Sequence, residues 1–284
     1  MDEMFGCHIY FKCENFQKAG AFKMRGATNA VLSVDQQQVS RGVATHSSGN
    51  HAQALSLAAR NRGMKAYIVM PENAPKVKVS AVQAYGGHIT FCEPTLQARE
   101  STLKEVILKT GAREIHPYND YLTITGQSTV AAELFEQMDL PDILLAPVGG
   151  GGLLSGSILA ARYFSPHTRV IAAEPLMAND AWKSFTSGTF VPSENPVTIA
   201  DGLRTSLGSL TYPIIMQGVH DILTVTEQGI KKAMLFIMER MKLVVEPSGA
   251  VPLAAIMEHQ HLFAGKRIGV ILSGGNVDLK DLPL

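Results

Sequence analysis

A chain of 284 residues can bury a large core and is long enough for two compact lobes of ordinary domain size. Its 25 basic and 25 acidic residues balance, and no run of like charge exceeds the pair Lys231 and Lys232. That argues against a nucleic-acid or membrane-surface binder whose affinity comes from phosphate or headgroup neutralisation. The opening "MDEMFGCHIYFKCENF" carries early acids and no apolar signal core, and the most apolar window, 143–161, is broken by Pro147 and glycines, so neither a signal peptide nor a membrane span is expected. Cys7, Cys13 and Cys92 have no metal spacing and leave an odd count, which fits packing or surface thiols in a reducing cytoplasm.

Taken in chain order, "HIYFKCE" and "GVATHSS" read as strands, and "NHAQALSLAARNRG" as a helix ended by Gly63. "KAYIVMP" is a continuous apolar strand of the kind found in a covered parallel sheet. Then come "APKVKVSAVQAYGG" (helix), "HITFCE" (strand), "LQARESTLKEVILKTG" (helix), "DILLAPV" (strand) and "GLLSGSILAARYF" (helix). "TRVIAAEP" (strand), "EQGIKKAMLFIMERMK" (helix) and "RIGVILSGG" (strand) complete the series, with "SFTSGTFVPSENP" as the one clear irregular loop. The alternation predicts an α/β architecture with open, mostly parallel sheets flanked by helices.

Two segments share a plan of strand, small-residue loop and helix: "HSSGNHAQALSLAARNRG" and "VGGGGLLSGSILAARYF". Each offers an anion the free amides and favourable dipole end of a helix start; the alternative for each is a tight strand-to-helix turn. Gly149 to Gly152 fit no nucleotide template. No Gly-Lys-Ser/Thr follows them, and the third glycine of a dinucleotide fingerprint is replaced by Ser155 or Leu154. What remains is a cradle for a small phosphate monoester, built from the amides of Gly149 to Leu153. A phosphorylated cofactor held by an amine would be of the pyridoxal type, which directs attention to lysine. Lys23, in "AGAFKMRGA", is flanked by Gly20, Ala21, Gly26 and Ala27, which allow a backbone or a planar ring to come close, and by the aromatic Phe22. It is either a Schiff-base lysine or a surface lysine.

Seven collinear blocks carry a resemblance: "FKCENFQKAGAFKMRGA", "THSSGNHAQALSLAA", "PVGGGGLLSG", "AAEPLMAND", "TIADGLR", "ERMKLVVEPSGA" and "ILSGGNVDL". Together they resemble the serine racemase and serine/threonine dehydratase family, pyridoxal 5′-phosphate enzymes of the tryptophan-synthase-β fold (fold type II). The resemblance implies a large cofactor-binding lobe, 1–41 and 120–284, and a smaller inserted lobe, 42–119, that closes over substrate. It implies Lys23 as the Schiff-base lysine and base, Gly149, Gly150, Gly151, Gly152 and Leu153 on the cofactor phosphate, Phe22 against the pyridine ring, Asn50 at its phenolic oxygen and Ser273 at its nitrogen. Ser47, Asn50 and His51 would hold the substrate carboxylate, and Ser48 would protonate Cα from the face opposite Lys23. Dehydratases of the threonine type usually carry alanine there, so Ser48 favours racemase capability, although relatives acting on 3-hydroxyaspartate also resemble this pattern.

"EPLMAND" resembles the family's divalent cation site, with Glu174 and Asp180 as carboxylate ligands and Ala178 as a carbonyl ligand for Mg²⁺, Ca²⁺ or Mn²⁺. Without the family such a pair reads as a solvated loop. Arg99 reads on its own spacing as an exposed helix arginine; the resemblance adds pairing with a substrate carboxylate, such as the distal one of a dicarboxylic substrate. Some family members bind Mg-ATP between subunits, and Lys18, Gln53, Tyr85 and Asn276 match the positions used there; a homodimer follows from the same resemblance. In two respects the chain departs from the pattern: it begins almost at the "FKCE" block, which implies a reduced ATP region, and Ser128 stands where glycine is usual. Three readings follow: a serine racemase with elimination activity, a dehydratase for 3-hydroxyaspartate, threonine or serine, and a low-activity cofactor-binding homologue.

Overall fold

The computed structural model describes residues 1–280 and 282. Residues 1–22 and 127–284 pack as one compact unit, and residues 23–126 as another. In chain order the first elements are α1 (Asp2–Phe5), β1 (His8–Cys13), α2 (Lys23–Leu32), β2 (Val43–His46), α3 (Asn50–Asn61), β3 (Ala66–Pro71), α4 (Lys76–Ala84) and β4 (Gly87–Cys92). They are followed by α5 (Leu96–Thr110), β5 (Arg113–Glu114), α6 (Tyr121–Gln137), β6 (Ile143–Pro147), α7 (Gly152–Phe164), β7 (Arg169–Pro175) and α8 (Asp180–Ser187). The chain ends with α9 (Thr211–Gly218), β8 (Asp221–Val225), α10 (Glu227–Phe236), α11 (Pro247–Glu258) and β9 (Arg267–Leu272).

The 1–22/127–284 unit is built on a five-stranded sheet in the order β1-β9-β6-β7-β8, with every pairing parallel. Strand side chains alternate between faces, and both faces here are apolar. Ile143 and Leu145 of β6, Ile171 and Ala173 of β7, and Ile268 and Val270 of β9 join Ala233, Met234, Ala254 and Phe263 on one side. Leu144, Ala146, Val170, Ala172 and Ile271 join Leu134, Leu154, Ile158 and Ile215 on the other. This two-sided cover is why the strands read as unbroken apolar runs.

The 23–126 unit holds a four-stranded parallel sheet in the order β4-β3-β2-β5. Ala44, Val69 and Cys92 pack there against Leu103 and Val106 of α5. Helix α2 lies on α3, and a Cβ on Gly126 of α6 would come within 2.6 Å of the Gly26 Cα and the Arg25 carbonyl. The small residues after Lys23 therefore serve, at Gly26, a close helix-to-helix approach.

The α/β class, the open parallel sheets and the predicted strands are all present. Sequence periodicity did not show α1, α2, α6, α8, α9, α11, β5 or β8. The predicted irregular stretch overlaps one of these: Ser184 to Ser187 form the last turn of α8, closed by the left-handed Gly188 at φ 70°. The predicted helix from Glu227 to Lys242 is α-helical only to Phe236, then runs as a π-helical turn over Ile237–Met241 and stops at Lys242 with φ 59°. Cys7 and Cys92 are buried and Cys13 is half-buried, all three as free thiols whose ionisation burial pushes up. Among the described residues no helix is long and apolar enough to cross a membrane.

Candidate active site

In a parallel sheet all strands deliver their following loops to one edge, the usual place for a ligand. In the 1–22/127–284 unit β6 ends at Pro147 and runs into Val148 and the glycine loop, and its neighbour β9 ends one residue before Ser273. The Ser273 carbonyl accepts a 3.0 Å hydrogen bond from the Phe22 amide, and Ala21 bridges Gly274, so Phe22 and Ser273 are brought together. Residues 149–153 are buried, and their five amides donate to no described residue. Helix α7 has glycine at its N-cap and no capping side chain. Five buried, unsatisfied donors at the positive end of a helix call for an anion.

Glycine is required in this loop. A Cβ on Gly149 would sit 2.9 Å from the Leu203 Cα, and Gly151 has φ 88° with its hypothetical Cβ 2.7 Å from Ile215 Cδ1. Thr211 fastens the loop by donating its hydroxyl to the Gly150 carbonyl at 2.8 Å while accepting from the Gly208 amide at 2.8 Å. Sequence reasoning missed Thr211, which belongs to no motif. It also missed Ser155, whose hydroxyl is buried in the first turn of α7 without a hydrogen-bond partner.

In the 23–126 unit the chain leaves β2 at His46 into the turn Ser47–Gly49, which opens α3. The Ser47 hydroxyl accepts from the Gly49 amide at 3.3 Å, and the amides of His51 and Ala52 donate to no described residue. Here too the N-cap is glycine with no capping side chain. The His51 ring is 2% exposed and its Nε2 lies 3.0 Å from the Ile115 carbonyl, an acceptor, so the proton resides on Nε2. Its Nδ1 is buried and unpartnered, and burial followed by the nearby Lys23 amine lowers its pKa to about 3. A neutral ring with its lone pair on Nδ1 does not donate to a carboxylate, which leaves that task at this helix start to backbone amides such as those of His51 and Ala52.

Lys23 is the first residue of α2, half-buried, and its Nζ donates to the Pro117 carbonyl at 2.7 Å. Arg99, in the first turn of α5, departs from the exposed helix arginine expected of its spacing. It is half-buried, and its Nε is buried without a hydrogen-bond partner.

The pattern described as "Pyridoxal-phosphate dependent enzyme" matches residues 1–274. The chain belongs to the pyridoxal-phosphate dependent enzyme family. Among its relatives, the beta-hydroxyaspartate dehydratase of Paracoccus denitrificans (strain Pd 1222) is 50% identical over 100% of this chain and 90% of that protein. The serine racemase of Dictyostelium discoideum is 48% identical over 99% of this chain and 88% of its own length. The maize serine racemase structure superposes with a TM-score of 0.96 at 48% identity, covering 99% of this chain and 87% of that one.

The family's cofactor fits the residues present. In the 1–22/127–284 unit the unsatisfied amides of Gly149 to Leu153 suit its phosphate monoester, and in the 23–126 unit the amine of Lys23 suits its aldehyde.

A second group lies at the C-terminal end of β7. Glu174 is wholly buried and accepts from the amides of Ala181 at 3.0 Å and Trp182 at 2.9 Å. Both carboxylate oxygens of Asp180 are buried without a donor in hydrogen-bond geometry, although Ser193 and the amides of Asp180 and Leu207 offset part of the cost. Burial drives Glu174 well above the usual carboxylate range, and the Asp180 charge adds to it; burial pushes Asp180 to about 6. This corrects the solvated-loop alternative for the pair. Among the described residues no three His, Cys, Asp or Glu side chains gather as a metal cluster. A hard cation here would draw on these two carboxylates, the carbonyl of the buried Ala178 and water.

Of the residues matched to nucleotide positions, Asn276 in the 1–22/127–284 unit donates Nδ2 to the Ala19 carbonyl at 2.7 Å, next to Lys18. In the 23–126 unit Gln53 is 5% exposed, and Tyr85 lies beneath the Arg60 guanidinium at 5.8 Å.

Proposed function

We propose that the protein is a pyridoxal-phosphate dependent serine racemase that interconverts L- and D-serine and also eliminates the β-hydroxyl of serine, releasing pyruvate and ammonia. The observation that carries this reading is that Lys23 and Ser48 belong to one compact unit in which α2 packs on α3. An amine opens the first helix and a hydroxyl lies in the turn into the second. Pyridoxal phosphate, when bound, supplies an electron sink for the pair left on the substrate Cα. Lys23 takes the Cα proton, and Ser48 returns one to the opposite face, inverting the centre. When the β-hydroxyl leaves as water instead, hydrolysis delivers the keto acid and ammonia. The amides at the start of α3, with Ser47 and Asn50, hold the substrate carboxylate and set which bond is aligned. Ser273 would offer its neutral hydroxyl to the cofactor ring nitrogen.

Ser48→Ala separates the two outcomes. D-serine formation falls by about 10²-fold or more, in the range of a lost general acid, while pyruvate formation stays within about threefold of wild type. Chiral analysis of the amino acid with parallel keto-acid detection reads both channels, and equal loss of both would remove Ser48 from the proton path.

A second reading, an L-threo-3-hydroxyaspartate ammonia-lyase, is favoured by one observation: the buried, unpartnered Nε of Arg99 suits the distal carboxylate of a dicarboxylic substrate. Running the same assay with 3-hydroxyaspartate decides between them, because the lyase reading requires a higher kcat/KM for that substrate than for L-serine.

The proposal includes Mg²⁺ or a similar cation on Glu174, Ala178 and Asp180, a homodimer in the cytoplasm, and an ATP response through Lys18, Gln53, Tyr85 and Asn276. Both carboxylates have folded-state pKa values raised above their ordinary ones, so the cation-free fold loses stability as pH rises through the 3.8 to about 6 window of Asp180. Chelation near neutral pH is therefore expected to lower the melting temperature by several degrees, and Mg²⁺ to restore it. A melting temperature indifferent to chelator and to added cation would refute the site.

A further inference from the structure

His116 lies in the turn between β5 and α6, within the 23–126 unit. Its Nδ1 receives two backbone amides, Asn119 at 2.8 Å and Tyr118 at 3.3 Å. Backbone N–H groups only donate, so this nitrogen must carry a lone pair, and the neutral ring holds its proton on Nε2. The ring is braced edge-on by Tyr118 at 4.6 Å between centroids and by His46 at 6.3 Å. The His116 carbonyl accepts from the Thr123 hydroxyl at 3.2 Å, and Asp120 accepts from the Thr123 amide at 2.8 Å, which ties the turn to the first turn of α6. Inside this fastened turn sits Pro117, whose carbonyl accepts the hydrogen bond from Lys23 Nζ at 2.7 Å.

We propose that His116 is a positioning residue for the Lys23 amine: its unprotonated Nδ1 gathers the Tyr118 and Asn119 amides into a turn that presents the Pro117 carbonyl to Nζ. This rests on the reading of Lys23 as the reactive amine. Such an amine is free twice, before the cofactor is bound and again whenever a substrate amine displaces it. In both states a four-carbon side chain with three rotatable donors needs an acceptor to hold it in line for reaction. A proton on His116 Nδ1 would face two N–H donors and open the turn. The charged groups around it act mostly against that proton: burial, His46 and Lys23 lower the ring's pKa to about 4, with Asp120 alone opposing. The turn is thus kept in its presenting form across the neutral range.

The test uses the full chain freed of cofactor, mixed with pyridoxal phosphate, with the growth of Schiff-base absorbance followed in time. His116→Phe keeps a ring and removes the acceptor, and is expected to slow the reaction about tenfold or more. His116→Asn supplies a side-chain oxygen that can accept the same amides and should return the rate to within about threefold of wild type. A merely structural role would lower the melting temperature in both variants without this rescue. Unchanged kinetics in His116→Phe would overturn the proposal. Borohydride trapping followed by peptide mapping identifies the reacting lysine. An adduct on a lysine other than Lys23 in the wild-type protein would defeat the Lys23 reading, whereas an adduct on Lys23 with a rate indifferent to His116 would defeat only the positioning role. Should neither variant fold, nitrogen-15 spectra of the wild-type histidines still decide: a protonated Nδ1 on His116 at neutral pH contradicts the turn.

Discussion

Replacing Lys23 by alanine is expected to abolish the Schiff-base absorbance formed with pyridoxal phosphate and to lower racemisation and elimination alike by roughly a thousandfold or more. The two losses coincide because the same amine is proposed to anchor the cofactor and to remove the Cα proton common to both reactions. Lys23 is half-buried at the first position of α2, with its Nζ on the Pro117 carbonyl. The fold should therefore survive, leaving the melting temperature of the cofactor-free variant close to wild type. Borohydride reduction and peptide mapping provide the check. A reducible adduct that persists on another lysine in Lys23→Ala would contradict the assignment.

Gly151→Ala is the second large effect, and it acts through the cradle. At φ 88° an alanine costs about 1–2 kcal/mol in backbone strain. Its Cβ would lie 2.7 Å from Ile215 Cδ1 and 2.9 Å from Thr211 Cβ and Oγ1, an overlap of the kind that costs about 1–3 kcal/mol. Relief requires the loop to move away from Thr211, which takes the Gly150 carbonyl and the amides of 149–153 with it. A drop of roughly 5 °C or more in melting temperature follows, read by calorimetry on the cofactor-free chain. Losing one charge-assisted hydrogen bond to the phosphate weakens pyridoxal phosphate binding by about 10- to 100-fold, measurable by titrating the Schiff-base absorbance. Ser155→Ala provides the contrast: it changes no backbone amide and creates no overlap, so an equally large loss of cofactor affinity there would show that the amides are not the main hold.

Both variants test features that differ in how far they could be seen in the residues alone. The strand-and-helix alternation was legible because both sheets are parallel and covered, so the strands of their interiors appear as short apolar runs. Helix α11 was not, because its residues are buried all round from Pro247 to Ile256, and an amphipathic stripe is the signal that periodicity detects. Helix α6 was not, because its buried stripe includes the polar Thr123 and Gln127 while Tyr121 is exposed, which blurs the apolar contrast. Strand β5 is two residues long, too short for alternation to distinguish it from loop, and β8 mixes Asp221 and Thr224 with its apolar residues, so it shows no unbroken apolar run.

In the candidate site, the glycine run announced itself because a cradle of amides at a helix start is a local device, written in consecutive residues. The family blocks likewise carried Lys23, the Ser47–His51 turn, and the Glu174 and Asp180 pair. Sequence by itself therefore determined the α/β class, the run of glycine amides at a helix start and, through the blocks, the cofactor family. Tertiary structure alone decided which groups complete these devices. Thr211 reaches Gly150 from sixty-one positions away, Pro117 meets Lys23 across ninety-four, and Asp180 is left in a buried place without a donor. Within each unit these contacts depend on strand order and helix packing, which bring together loops that are distant along the chain. Spacing along the chain carries no record of that order, because a parallel sheet joins strands through crossovers that can set any two of them side by side.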